Sequence, residues 1–363
     1  MRHLLSNSMQ KKQIFLDRLQ RADSFNIKGK ENSRNLLLDL LKVFGALIIS
    51  LLHLDWKISP GGYLFVEMFF LMTGFLLAYK EKQYSQLQIL DIFKKRISNF
   101  YFYYFIAFLF AIYLIKFPTG FEVLNYFTFM SSLGLGSFYG FGALWFLGIY
   151  LFFSVGYIYL RKITSDRIFK SIVASVVILA VYTLYAGIPF HGINLTYERF
   201  IGSFPVAFYR GLIGIGGGYL TFYLAQRFKL FFNSYIALVL GTVIFGILIH
   251  IIFRKNYGPQ YDYLSYLIFG YLISFCFFSR NVVVVKLNNF LNTIPVNIFT
   301  LFLEIYIFHS VVIGFSVKLS NEVKLFLVEH YLIYLILVLF FSLLMKKMKS
   351  TLVSLYKRKV LSV

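Results

Sequence analysis

The chain has 363 residues, of which 59% are hydrophobic and 14% charged, and its formal net charge is +21. A soluble globular domain is about 45–50% apolar and about 25% charged, so this composition excludes a soluble globular protein. The basic residues lie in short segments between apolar runs, as positively charged cytoplasmic loops do in membrane proteins. This distribution argues against nucleic-acid binding and makes membrane lipids the expected neighbours. The single cysteine, Cys276, excludes an internal disulfide.

The polar, basic residues 1–34 are predicted to form a cytoplasmic tail or an interfacial helix. The first apolar run starts at Leu36 and is long enough to span a membrane, so it does not resemble a cleavable signal peptide. Residues 35–347 are predicted to form one membrane domain, and 348–363 a second basic cytoplasmic tail.

Apolar runs of about 18–23 residues, each long enough for a spanning helix, recur along the chain. They predict an all-α polytopic membrane protein with about ten transmembrane helices. The segment 121–141 is also apolar but rich in Gly and Ser, and it is interpreted as a re-entrant or surface segment, with an eleventh span as the alternative. The ten runs lie near 36–54, 62–79, 99–116, 143–160, 171–187, 206–226, 231–252, 262–279, 297–317 and 325–345.

The distribution of Lys and Arg predicts the orientation of these helices. With ten spans and a cytoplasmic N-terminus, most of the basic residues fall in segments on the inner side, as the positive-inside rule requires. An eleventh span would place the basic C-terminal tail outside. Both termini are therefore predicted to be cytoplasmic, in a bacterial-type plasma membrane.

Three ionisable residues lie in the first span. Lys42 and His53 are 11 residues apart, about three turns, so they share a helix face and lie about 16 Å apart along the axis. Asp39 precedes Lys42 by three residues and can pair with it. Charged groups are costly within a membrane, so this stripe is a candidate site. The alternative is a snorkelling lysine and an interfacial histidine.

The second span contains Glu67 in an otherwise apolar stretch. A buried carboxylate must be protonated or paired, so Glu67 is expected to face the interior of the helix bundle, with Lys42 or His53 as the expected partner. Glu67 near the outer interface is the alternative.

Further candidates follow along the chain. The basic run at Lys95 and Arg96 is either a topology anchor or a cytoplasmic phosphate site. Trp145 is either an interface anchor or part of a substrate cavity. Glu304 and His309 lie in the ninth span, His309 at mid-depth. The spans contain no His or Glu spacing typical of a metal site, and none is predicted.

These motifs together resemble acyltransferase family 3, membrane proteins that O-acylate polysaccharides and other envelope glycans. The first-span signature is matched by Asp39-Leu40-Leu41-Lys42, ten residues and then His53, and the second-span signature by Val66-Glu67 through Thr73-Gly74-Phe75. The sequence departs from the family pattern at Asn99, Phe102 and Tyr150, where Arg, Pro and Glu are common. Further matching segments are Phe93-Lys94-Lys95-Arg96-Ile97, Ala143-Leu144-Trp145-Phe146-Leu147 and Ile305-Tyr306-Ile307-Phe308-His309.

The resemblance implies transfer of an acyl group, with acetyl expected, from acyl-CoA to a hydroxyl of a cell-surface polysaccharide or other envelope glycan. Acetyl-CoA is then a substrate, and no permanently bound cofactor is expected. The implied catalytic set is His53 as general base with Lys42, Asp39 and Glu67. Lys95 and Arg96 are implied as CoA contacts, and Trp145, Glu304 and His309 as residues of the substrate cavity.

Two other classes stay open at this point. One is a lipid-linked oligosaccharide flippase or small-solute transporter, which should show internal repeats and interrupted helices. The other is a glycan polymerase, which is expected to need a large hydrophilic loop. Neither feature is evident in the sequence.

Overall fold

The apolar runs fold into helices that account for most of the described chain. The computed structural model describes residues 35–130, 141, 144–188, 200–254, 260–293 and 298–361. The one sheet in this part is an antiparallel pair of two-residue strands, β1 (Phe200–Ile201) and β2 (Phe204–Pro205). The helices are α1 (Leu36–Leu54), α2 (Leu64–Tyr79), α3 (Glu81–Ser85), α4 (Ile89–Leu114), α5 (Gly120–Thr128), α6 (Trp145–Ile163), α7 (Asp166–Gly187), α8 (Val206–Arg227), α9 (Tyr235–Phe253), α10 (Gln260–Phe278), α11 (Val282–Leu291), α12 (Phe302–Leu319), α13 (Asn321–Glu329) and α14 (Tyr331–Leu361).

Seven of the described helices are long and apolar enough to cross a membrane: α1, α4, α6, α7, α9, α12 and α14. The bent pair α10–α11, with an angle of 81° between its parts, brings the number to eight if it forms one span. The all-α polytopic membrane architecture is thus confirmed. Helices also occupy the two other predicted spans, but α2 has only 16 residues and α8 contains Arg210 and several glycines. The number of ten spans stays a prediction.

Helices α2 and α8 lie against each other at the centre of the fold. A Cβ added at Gly74 would lie 1.8 Å from the carbonyl oxygen of Ile215, and one at Gly218 would lie 2.0 Å from that of Leu71. Only glycine permits backbones to approach so closely. The glycines of α8 therefore serve close helix packing, and α2 is buried along most of its length.

The start of the segment 121–141 forms the short helix α5. Thr119 and Glu122 make a reciprocal capping box at its N-terminus, and Lys116 donates a 2.7 Å hydrogen bond to Glu122, which lowers the pKa of that carboxyl. Nine residues rise only about 14 Å, so α5 itself does not cross a membrane. The remainder of the predicted surface segment, 131–140, lies outside the described residues.

Contacts between helix ends define two faces of the bundle. On the face that we call the basic face, Arg161 pairs with Glu81 at 2.5 Å and Lys349 donates to the carbonyl of Asn99 at 3.0 Å. On the opposite face, the amide of Gly61 donates to Ile252 at 2.9 Å. These contacts agree with the predicted alternation of the helices. The cytoplasmic location of the basic face, and with it of both termini, stays a prediction.

Candidate active site

The first polar cluster lies on α1. The ammonium of Lys42 lies 2.9 Å from a carboxylate oxygen of Asp39, so the predicted pairing within one helical turn is confirmed. The ammonium also lies 5.5 Å from the ring centroid of Phe302 on α12. The Lys42 side chain is 18% exposed, which leaves it accessible to a ligand despite its ion pair.

Lys42 lines a cavity of about 370 Å³ that we call the basic-face cavity. Lys80 and Arg96 contribute two further positive charges to its wall, and Phe69 and Phe146 are among its apolar lining residues. Cavities that hold organic ligands are commonly about 300–1,000 Å³, mostly apolar, with a few convergent polar groups. This cavity has that character, and its charged groups favour an anionic ligand.

Arg96 is the most constrained cation of this cavity. It is 8% exposed, donates a 2.6 Å hydrogen bond to the hydroxyl of Tyr150, and its guanidinium carbon lies 5.6 Å from the centroid of the Tyr84 ring. Its Nε has no hydrogen-bond partner among the described residues. Tyr150 thus holds the guanidinium in place, while donors remain for an anion.

Lys95 is separated from this cavity. Its side chain is exposed, and it is not among the residues that line the cavity. Neighbouring positions on a helix point about 100° apart, so burial of Arg96 turns Lys95 away from the cavity. The geometry therefore groups Arg96 with Lys42 and Lys80 rather than with Lys95.

His53 lies near the other end of α1 and stacks on a histidine of α12. The ring centroids of His53 and His309 are 5.1 Å apart, with an interplanar angle of 25°. Because Lys42 contacts Phe302 at the start of α12 and His53 contacts His309 further along it, the two helices run in the same direction. Prediction from sequence named both histidines but did not place them together.

His309 is fully buried and held in a defined tautomer. Its Nδ1 lies 3.2 Å from the carbonyl oxygen of Ile305, and its Nε2 lies 3.1 Å from the hydroxyl of Ser310. A carbonyl only accepts hydrogen bonds, so Nδ1 carries the proton. In the neutral ring, Nε2 then accepts the hydrogen bond from Ser310.

His53 also lines a cavity at the opposite end of α1, which we call the opposite-face cavity. Its volume is about 660 Å³, and Trp56, Lys57 and Lys324 are among its lining residues. Among the described residues, none lines both the basic-face cavity and the opposite-face cavity. Lys42 and His53, which share a face of α1, thus line two different cavities.

Tyr306 lies between these cavities. Its ring centroid is 5.3 Å from that of Phe146 in the wall of the basic-face cavity, and 6.1 Å from that of His309. His309 in turn covers His53. Side chains of α6 and α12 therefore lie between the two cavities.

Glu67 has a different partner from those expected. It is fully buried, as one of the two alternatives required, but Arg210 of α8 donates to its Oε1 at 2.6 Å, and the hydroxyl of Tyr266 donates to its Oε2. Glu67 thus pairs with Arg210 rather than with Lys42 or His53. It lines neither cavity.

Trp145 belongs to this ion pair rather than to a cavity wall. The guanidinium carbon of Arg210 lies 4.8 Å from the centroid of its ring, and the side chain is 5% exposed. Arg210 lies within the predicted span 206–226. Its pairing with Glu67 joins residues 143 positions apart, so no local pattern could reveal it.

Glu304 lies one residue beyond Leu303, which lines the basic-face cavity. Its carboxylate is within hydrogen-bonding reach of the Tyr103 hydroxyl, and its Oε2 has no hydrogen-bond partner among the described residues. Glu304 is buried behind the cavity wall and does not itself line the cavity.

The family model of acyltransferase family 3, described as an acyltransferase domain, matches residues 35–347. The chain belongs to this family. It is therefore an acyltransferase, and its apolar helices make it an integral membrane protein. No curated protein and no solved structure matches the chain. Within the described residues, no group of His, Cys, Asp and Glu is arranged to hold a metal ion.

Proposed function

We propose that this acyltransferase family 3 protein moves an acyl group, acetyl in the first instance, from acyl-CoA to a hydroxyl of a cell-surface polysaccharide or other envelope glycan. The observation that carries the proposal is the pair of separate cavities at the two ends of the Lys42–His53 stripe. A donor and an acceptor that approach from opposite sides of a membrane require such an arrangement.

The basic-face cavity is the proposed donor site. The phosphates of CoA are polyanionic and cytoplasmic, and Arg96, Lys80 and Lys42 place three cations on one cavity wall. The apolar rings of Phe69 and Phe146 suit the pantetheine arm, which carries the thioester toward Tyr306 and His309. Binding of an organic anion by such a cavity follows ordinary recognition rules.

His53 is the proposed general base. The acceptor hydroxyl oxygen attacks the thioester carbon while its proton passes to the imidazole of His53. The carbon–sulfur bond then breaks, and the imidazolium returns the proton to the departing CoA thiolate. Imidazole is the side chain suited to this exchange near neutral pH. Buried His309 fixes the position of the His53 ring by stacking on it.

The opposite-face cavity is the proposed acceptor site. His53 lines this cavity, and an envelope glycan on the side of the membrane away from the basic face would reach the base there. The proposed location of the enzyme is accordingly a bacterial-type plasma membrane with the basic face toward the cytoplasm.

The decisive experiment is incubation of membranes that contain the protein with labelled acetyl-CoA, followed by isolation of the envelope glycan. Label that becomes ester-linked to the glycan, and that depends on His53, is the expected result. A flippase or a glycan polymerase would instead change the amount or length of the glycan without transfer of label.

A further inference from the structure

The described lining residues of the opposite-face cavity carry more positive than negative charge. Lys57 follows α1 and Lys324 belongs to α13, and both line the cavity. Asp55 is the one carboxylate among the described lining residues, and its Oδ1 already accepts a 2.9 Å hydrogen bond from the backbone amide of Lys57. With His53 neutral, the described part of the wall carries a net positive charge.

The acidic residues of α13 do not compensate the charge of Lys324 in the cavity, because they lie outside the helix face that lines it. Residues 321, 324, 325 and 328 line the cavity, and their spacing is that of one helix face. Glu322 and Glu329 are not among the lining residues. Lys324 is half-buried and forms no ion pair within the described part of the chain.

An exposed aromatic ring adjoins these cations. Trp56 is 61% exposed and lines the same cavity, three residues beyond His53. An indole offers a broad apolar face together with one N–H donor, which suits the apolar face of a sugar ring. The cavity thus combines a flat apolar surface, a proposed base and two cations.

We infer that the acceptor glycan carries a negatively charged group, a carboxylate or a phosphate, close to the hydroxyl that is acylated, and that Lys57 and Lys324 bind this group. The inference rests on the proposed function, because it assigns the acceptor to the cavity that contains His53. The two lysines come from separate elements on the cavity wall, so an anion held between them orients the sugar above His53 and selects acidic glycans over neutral ones.

The test uses competition in native membranes. Transfer of labelled acetyl from acetyl-CoA to the envelope glycan is measured in the presence of three soluble disaccharides, which contain glucose, glucuronic acid or glucose 6-phosphate at the same position. One or both acidic disaccharides should inhibit about 5- to 30-fold more strongly than the neutral one, as two solvent-accessible charge contacts allow. The stronger of the two identifies carboxylate or phosphate as the bound group.

Variants assign this preference to the cavity. Lys57→Gln with Lys324→Gln should remove the preference for the acidic disaccharides while the protein stays abundant in the membrane. Lys318→Gln is the matched control, because Lys318 lies above the ring of Tyr113 and outside the cavity lining. It should leave the preference unchanged.

Equal inhibition by all three disaccharides, or by none, while His53-dependent transfer to the glycan persists, would overturn the inference alone. A preference that survives in the double variant would also overturn it. Absence of any transfer of label to the glycan would instead defeat the proposed function.

Discussion

The imidazole rings of His53 and His309 are stacked with their centroids 5.1 Å apart, although 256 positions separate them in the chain. His309 is fully buried, whereas His53 is exposed to the opposite-face cavity. In the proposed mechanism the two histidines therefore have different tasks: His53 contacts the acceptor, and buried His309 supports the His53 ring.

His53→Ala should lower acylation of the envelope glycan by about 10²- to 10⁴-fold, the usual cost of losing a general base. NMR of the purified glycan measures its acyl content, and immunoblotting measures the protein in the membrane. His309→Ala should cost less than His53→Ala, because it removes a support rather than the base. His250→Ala is the matched control outside the cavity. Wild-type acylation in His53→Ala would end the proposed mechanism.

Arg96→Ala should raise the KM for acyl-CoA by about 10- to 150-fold, because it removes a charge-assisted contact of about 1.5–3 kcal/mol. Lys95→Ala should leave this KM nearly unchanged, since Lys95 is exposed beside the cavity rather than in its wall. Initial rates over a range of acetyl-CoA concentrations provide both values. An equal effect of the two substitutions would contradict the donor site proposed here.

Lys42→Arg should retain more activity than Lys42→Ala, because the position supplies a positive charge to the basic-face cavity. Alanine also leaves Asp39 without the ammonium that now lies 2.9 Å away. Measurement of kcat and KM separately tests the role: loss of the charge should appear mainly as a higher KM for acyl-CoA. Equal activity of the two variants would show that charge is irrelevant at this position.

Glu67→Ala and Arg210→Ala should each destabilise the protein by about 3–5 kcal/mol, because each leaves the other charge buried and unpaired. Replacement of both residues by Leu and Met should recover much of that loss. The thermal midpoint of each variant in detergent, measured by gel filtration of heated samples, provides the comparison. A Glu67→Ala protein with normal stability and no activity would instead favour the catalytic role suggested by the sequence.

Cysteine labelling should place Lys57 and Lys349 on opposite sides of the membrane. In a Cys276→Ala background, Lys57→Cys is expected to react with an impermeant maleimide added to intact cells, whereas Lys349→Cys should react only after lysis. The reason is that Lys349 lies at the basic face, beside Asn99, and Lys57 in the opposite-face cavity. Labelling of Lys349→Cys in intact cells would contradict the predicted orientation.

Local chemistry made part of this structure predictable. Helix α1 begins and ends where its apolar run does. Because Lys42 and His53 lie on one helix, their spacing of 11 residues fixes their separation along its axis. The polar first turns of α4 were not predicted as helix, because a search for membrane spans detects only its apolar part. That helix begins at Ile89 rather than near residue 99.

Pairings between distant elements were not predictable in the same way. A buried Glu67 had to find a partner, but several cations were available, and only the packing of α2 against α8 brings Arg210 to it. The same holds for Tyr150, which stands where many family members have Glu and which here orients Arg96 through a hydrogen bond. Charge alone would have grouped Arg96 with Lys95.

The layer formed by Phe146, Tyr306 and His309 has an electrical consequence. Two cavities that open on opposite sides of a membrane would let ions cross it if they joined. Packed rings keep water and ions from forming a continuous file, because an ion is costly to move through an apolar layer. In the proposed mechanism only the acyl group passes between the two cavities, and the membrane potential is retained.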